Sequence, residues 1–212
     1  MRLFPLLLVL SLASPSLAQT AAPDAGKVAE SLPVLDQAIS YHSRRYADEK
    51  RQIYCGGSSS ETIAYMGMAA AAKRDAVAIS PDYCDALFMK GYALIDQGSV
   101  PDGIVLLEQA LKMAPEHAHY LNELGYAYQQ LKDWPKSLAA YQHARDAAGL
   151  AEKDQVIEER CRALRGMGFA YIERAEWDAA EQAFRDCLKI DPTNTKSQGE
   201  LIYIRRNRDK PA

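Results

Sequence analysis

The sequence carries no surplus of either charge: 25 Lys and Arg stand against 28 Asp and Glu in 212 residues, a formal net charge of −3. That excludes the broad basic field that draws a protein to nucleic acid. Glycine and proline are sparse, at 12 and 10 residues, too few for a collagen or a low-complexity chain. No Cys-x-x-Cys pair occurs among the four cysteines, which removes the usual zinc and dithiol redox arrangements. Also missing are a Gly-x-Ser-x-Gly elbow, a His-Glu-x-x-His zinc motif, a dinucleotide fingerprint and a phosphate-loop Lys after Gly56-Gly57-Ser58. Without these, neither a cofactor nor a catalytic residue is implied. After residue 18 no apolar run is long enough to span a bilayer, so no integral membrane segment is expected. What is present is ordinary for a globular chain: 48% apolar and 25% charged residues, enough for a real core. Alanine is abundant, and Ala, Leu, Glu, Lys and Gln lose little rotamer freedom in helices.

The N-terminus reads as an address. Arg2 precedes an apolar stretch, Leu3–Leu12, and Ser16-Leu17-Ala18 supplies the small residues a signal peptidase cuts beside. Residues 1–18 are therefore expected to be a secretory signal peptide, and the mature chain to begin at Gln19. Loss of Arg2 takes the net charge from −3 to −4. No Cys follows the cut for acylation, and residues 19–31 read as a flexible lead-in. Export predicts a periplasmic or secreted location, where Cys55, Cys84, Cys161 and Cys187 can persist as disulfides.

Behind the lead-in, the strongest signal is a period of 34 residues. Segments starting at Cys84, Ala118 and Cys161 align Gly91, Gly125 and Gly168, then Gly103, Ser137 and Ala180, then Leu107, Tyr141 and Phe184. A glycine inside a helical pattern costs roughly 1 kcal/mol against Ala, and close approach of a second helix is the reason to keep it. The small residues on that second helix are its contact points, and Pro115 and Pro192 stop it. Each period thus predicts a helical hairpin.

At these residues the sequence resembles the tetratricopeptide repeat family. Leu-Gly-Tyr-Ala-Tyr at 124–128 and Met-Gly-Phe-Ala-Tyr at 167–171 are each followed by an acidic-Trp pair (133–134, 176–177) and by Ala-Tyr or Ala-Phe (140–141, 183–184). The resemblance implies an all-α solenoid with clear repeats at 84–117, 118–151 and 161–194. Residues 32–83 then form a divergent N-terminal helical hairpin, with helices expected near Leu32–Tyr54 and Glu61–Ile79, and residues 195–212 a capping helix and tail. Lys90 departs from the pattern where a large apolar residue is usual, and Gly149 replaces the closing Pro of the second repeat. The nine residues 152–160 interrupt the period and are expected to start the next helix early, adding about 13 Å of solvated helix.

In a helical hairpin the start of the first helix lies beside the end of the second, which makes a Cys161–Cys187 disulfide sensible. The alternative is that Cys187 replaces the small Ala110 and Ala144 of the earlier repeats. Antiparallel helices would put Cys55 and Cys84 about 30 Å apart, so either that hairpin is irregular or the two stay unpaired. His117 and His119 could offer nitrogens to a metal, but no third ligand is fixed beside them, and no metal site is expected.

The resemblance further implies that the first helices face inward. Their exposed set would be Asp85, Phe88, Tyr92 and Asp96, then His119, Asn122, Tyr126 and Gln129, then Arg162, Arg165, Phe169 and Glu173, at spacings of three and four. Phe88, Tyr92, Tyr126 and Phe169 would form an aromatic column, either gripping a peptide or packing between repeats. Some family members hold chaperone C-terminal carboxylates with Lys and Asn on the first helices. Phe88 and Tyr92 stand at those places here, and Asn122, Arg162 and Arg165 are only a partial echo. The expected function is a non-enzymatic scaffold for a protein or peptide partner, in the cell envelope of a bacterium. The alternative is an assembly subunit or homo-oligomer using residues 152–160 and the C-terminal helix.

Overall fold

The computed structural model describes residues 25–208; the expected signal peptide, the mature start at Gln19 and the end of the tail lie outside them. In chain order the elements are α1 (Ala25–Arg45), β1 (Gln52–Cys55), α2 (Ser59–Ala71), β2 (Ala76–Ile79), α3 (Asp82–Asp96), α4 (Val100–Met113), α5 (Ala118–Gln130), α6 (Trp134–Ala147), α7 (Val156–Glu173), α8 (Trp177–Ile190) and α9 (Thr195–Asn207). The helices α3 to α8 form three hairpins, as the period requires.

Each hairpin closes where the small residues stand. A β-carbon at Gly91 would lie 2.9 Å from the carbonyl oxygen of Gly103, so α3 and α4 touch backbone to backbone. At Gly125 and Gly168 the space is taken by the rings of Tyr141 and Phe184. The turns between paired helices share one feature: Gly98, Lys132 and Ala175 have φ of 86°, 57° and 58°. Spacings of 34 and 43 residues separate these three left-handed positions, the longer one containing the nine-residue insertion. Only the first repeat fills the position with the residue that takes it without strain.

First helices lie side by side: α5 packs against α7 and α3 meets α5, whereas no comparable packing joins α4, α6 and α8 to one another. The first helices therefore form the inner row of the curve, and the second helices the outer. Buried side chains run along the stack in successive clusters, from Cys84, Leu87 and Tyr120 through Leu124 and Ala140 to Phe184, Leu201 and Ile204. The helix α9 covers the last hairpin by burying Leu201 and Ile204, its start capped by Asn194, which accepts from the Ser197 amide.

The N-terminal unit corrects the expected hairpin. The helix α1 already runs from Ala25, inside the expected lead-in, and ends at Arg45 rather than at Tyr54. Residues 52–55 and 76–79 are strands, paired in parallel with Gln52 opposite Ala76 and Cys55 opposite Ile79. The helix α2 joins them as a crossover and stops at Ala71, with Lys73 in the left-handed region at φ 51°. The physical reason is the runs Gln-Ile-Tyr-Cys and Ala-Val-Ala-Ile, which are short, apolar and rich in β-branched or aromatic side chains. This arrangement also answers the cysteine question. The strand β1 carries Cys55 to the start of α3, where it is bridged to Cys84 with Cα atoms 6.3 Å apart. Cys161 is bridged to Cys187 with Cα atoms 4.8 Å apart, from the start of the third hairpin to its end. Lys90, the departure from the family pattern, pairs with Asp36 of α1 at 2.5 Å, so its charge ties α1 to α3.

The insertion meets the expectation in part: α7 starts five residues before Cys161, but residues 152–155 are not helical and Glu159 is buried. Ala148–Leu150 is a turn of 3-10 helix, residues 152–155 form a turn, and α7 begins at Val156. Ser58 donates its hydroxyl to the carbonyl of Leu150 at 2.5 Å, holding the N-terminal unit against the 3-10 turn that precedes the insertion. Among the described residues, no helix is long and apolar enough to cross a membrane.

Candidate binding face

The inner row brings the expected residues together, but not in one role. Asn122 is fully buried between α5 and α7, where it donates to Glu159 Oε2 at 2.8 Å and to the Glu159 carbonyl at 3.1 Å. Gln129 donates to the Gly166 carbonyl at 2.9 Å and accepts from the Tyr141 hydroxyl at 3.2 Å. Arg165 is 9% exposed, with Glu158 at 3.6 Å, and its burial lowers its guanidinium pKa. Asn122 and Gln129 bind repeat to repeat and Arg165 is buried beside Glu158 of its own helix, so none of the three faces a groove, which corrects the expectation for them. A polar residue on a first helix can point into the groove or along it, and the stacking of α5 on α7 selects the second.

The aromatic column divides in the same way. Phe88 stacks on Tyr120 with centroids 4.6 Å apart and tilts against His119 at 5.1 Å; Phe169 meets Trp134 at 6.4 Å. Both are packing between repeats. Asp85 is used internally, accepting from the Tyr120 hydroxyl. Tyr126, in contrast, is 45% exposed in the middle of the row, and Tyr92 is half-buried beside it. Burial raises both phenol pKa values, and the charges of Glu123 and Asp96 add to it. Glu123 is itself buried and paired with Arg162. Its charge and that of Glu159 outweigh burial and keep the guanidinium pKa high. Asp96 is exposed. The accessible patch is therefore two phenols over a fixed Arg162–Glu123 pair, with a free carboxylate at its edge.

Sequence reasoning missed the residues behind this patch. Glu159, expected in solvated helix, accepts from Asn122 and lies 2.8 Å from His119 Nδ1. Burial opposes its ionisation, but the contacts with His119 and Asn122 and the charge of Arg162 outweigh it and lower its pKa. Glu61 is 2% exposed and accepts from the Gly57 amide at 2.7 Å, while Ser58 accepts from the Glu61 amide at 3.0 Å. That reciprocal pair is a capping box, and Ser-x-x-Glu at 58–61 is its legible signal. Burial pushes the Glu61 carboxyl up to about 7 and the His117 imidazole down to about 4. His117 stacks on Tyr120 with centroids 3.7 Å apart, so it packs rather than offering itself beside His119. Between Glu61, His117, His119 and Glu159 lies a void of about 30 Å³, room for a water molecule. Among the described residues no three His, Cys, Asp or Glu side chains are grouped to hold a metal ion.

Residues 88–152 and 162–194 each match a family model described as tetratricopeptide repeat. The chain is a tetratricopeptide repeat protein. Solved structures agree with the fold. A fragment of MamA from Desulfovibrio magneticus, residue 41 to its end, is 19% identical with a TM-score of 0.51, covering 89% of this chain and 88% of that one. A putative kinesin light chain from Podospora anserina with nearly identical TPR-like repeats is 17% identical with a TM-score of 0.57, covering 85% and 79%. The first tetratricopeptide domain of Spaghetti (RPAP3), solved with an HSP90 peptide, is 17% identical with a TM-score of 0.52, covering 60% of this chain and 97% of that one. No curated protein matches the chain.

Proposed function

We propose that this tetratricopeptide repeat protein is a non-enzymatic scaffold that holds a segment of a protein partner against the inner row of α3, α5 and α7. The observation that carries the reading is Tyr126, a large ring left 45% exposed in the centre of a row where Asn122, Gln129 and Arg162 are bonded to neighbouring residues of the chain. Exposed tyrosines on rigid helices supply contact area at little entropic cost. The free carboxylate of Asp96 beside them suits a segment with a basic residue next to an apolar one. The RPAP3 domain, which shares the fold, is bound to a peptide, which supports this use. A carboxylate clamp of the chaperone-binding kind is a poor fit, because Phe88 and Tyr92 occupy its places and Asn122 is consumed by Glu159.

The same reading places the protein outside the cytoplasm. Arg2, the apolar stretch Leu3–Leu12 and Ser16-Leu17-Ala18 support export, and two bridges suit an oxidising compartment such as a bacterial periplasm. Fractionation with N-terminal sequencing tests it; the expected result is a mature chain starting at Gln19 in the periplasmic or secreted fraction, and an uncut cytoplasmic chain contradicts it. For the groove, the protein is co-purified from its native envelope as wild type and as Tyr92→Ala with Tyr126→Ala. A partner lost from the variant without a change in its melting temperature supports the reading, and a partner retained by both refutes it.

A further inference from the structure

The β1–α2–β2 unit has two unfinished surfaces that belong together. The first is a strand edge. The Gln52 amide donates to the Asp75 carbonyl at 2.9 Å, and Gln52 stands opposite Ala76. Backbone groups alternate direction along a strand, so those of Asp75 and Val77 face β1 and those of Ala76 and Ala78 face away. The sheet has no strand beyond β2 among the described residues, and Ala78 is exposed. The devices that usually blunt such an edge are missing from residues 76–79: there is no charge, no proline and no bulge. Parallel pairs are ordinarily found inside larger, covered sheets.

The second surface is the outer side of α2. Its only charged residue is Glu61, which is buried and turned inward to Gly57. Outward it shows Ile63, 74% exposed, with Met66, Gly67 and Ala70 on the same stripe and Met68 beside it. The other helices of the stack present charges to solvent, apart from α5, whose single carboxylate, Glu123, is buried and paired with Arg162. A bare apolar face next to an open edge marks an interaction surface.

We infer that this unit is a self-association surface, in which β2 pairs antiparallel with β2 of a second copy and the two α2 helices pack together over the joined sheet. The pattern is self-complementary. A two-fold axis at Val77 sets Ala76 opposite Ala78 of the partner subunit, and the outward groups of both strands then form on the order of four new hydrogen bonds. Charges begin only beyond the pairing. Arg74 falls opposite Ser80 of the partner subunit and one diagonal step from its Asp82, within reach of a long side chain. Both residues are exposed, and no ion pair within the described chain involves either. The two-fold makes this contact twice.

The test is sedimentation equilibrium of the mature, oxidised chain across a dilution series. The expected result is a dimer that dissociates on dilution. Ala78→Pro removes only the outward amide, so it leaves the β1–β2 ladder paired and is expected to be monomeric with unchanged helical circular dichroism and no free thiols. Arg74→Asp weakens dimerisation by about tenfold or more, and adding Asp82→Arg restores it; this swap decides the matter if Ala78→Pro does not fold. Tyr92→Ala with Tyr126→Ala leaves the dimer unchanged, which separates this surface from the inner face. A monomer up to about 100 μM, or a dimer that survives Ala78→Pro and ignores the charge swap, overturns the inference. So does protection of the Ala76 and Ala78 amides in a monomer, whether by the chain's own residues 19–24 or by an extended segment of another protein.

Discussion

The ring of Tyr141 on α6 lies over Gly166 on α7: a β-carbon at Gly166 would stand 2.3 Å from Tyr141 Cζ. Tyr141 is buried and its hydroxyl is held by Gln129, so it cannot swing away freely. Gly166→Ala is therefore expected to cost about 1–3 kcal/mol through overpacking. Gly199, inside α9, has nothing within 4 Å of a β-carbon, and Gly199→Ala is expected to stabilise by about 0.5–1 kcal/mol. Urea unfolding of the two variants measures both, and equal effects would contradict the packing described.

The bridge Cys55–Cys84 closes a sequence separation of 29 residues and Cys161–Cys187 one of 26. Each is worth about 3–4 kcal/mol in the chain-entropy account. A stack whose units touch mainly their neighbours responds locally. Replacing Cys55 and Cys84 by Ala should speed amide exchange across residues 52–79 while the third hairpin keeps its protection. Uniform loss along the chain would mean that the stack unfolds as one unit.

Glu61 and His117 give the stability opposing pH slopes. With its folded pKa raised to about 7, Glu61 contributes stability that is present below its unfolded pKa near 4.5 and lost as pH rises toward 7. His117, lowered to about 4, contributes stability present above about 6.5 and lost as pH falls toward 4. Glu61→Gln removes the first slope alone. Its stability should therefore fall on acidification from pH 7 to 5 more steeply than that of the wild type, and parallel curves would contradict the buried carboxyl.

Asn122 and Tyr126 sit four residues apart on α5 and are expected to fail differently. Asn122→Ala leaves Glu159 short of a buried partner and should cost about 1–3 kcal/mol. Tyr126→Ala should leave the unfolding midpoint nearly unchanged and act only on binding. Thermal unfolding of the two variants separates them.

The hairpins were legible because their signal is local and repeated: Gly91, Gly125 and Gly168 recur with their small counterparts at fixed spacing. Strands β1 and β2 were not, because four-residue apolar runs suit a helix or a strand equally, and the choice is made by pairing across 24 residues of chain. Within the inner row, spacings of four and three set Asn122, Tyr126 and Gln129 on one stripe of α5. Which of them point outward depends on how α5 meets α7, and the period does not encode that angle. Glu159 escaped because an interruption of the repeat was read as surface, although the turn it adds to α7 is what satisfies Asn122.

The claim that the inner row binds a protein segment is tested most directly by site-specific crosslinking in living cells. A photoreactive phenylalanine is placed at Tyr126 on the inner row, or at Ala139, which is exposed on α6 of the outer row. The account predicts a discrete crosslinked partner from Tyr126, absent from Ala139 and absent when Tyr92→Ala is added. Equal crosslinking from both positions, or a partner captured only from Ala139, would contradict it.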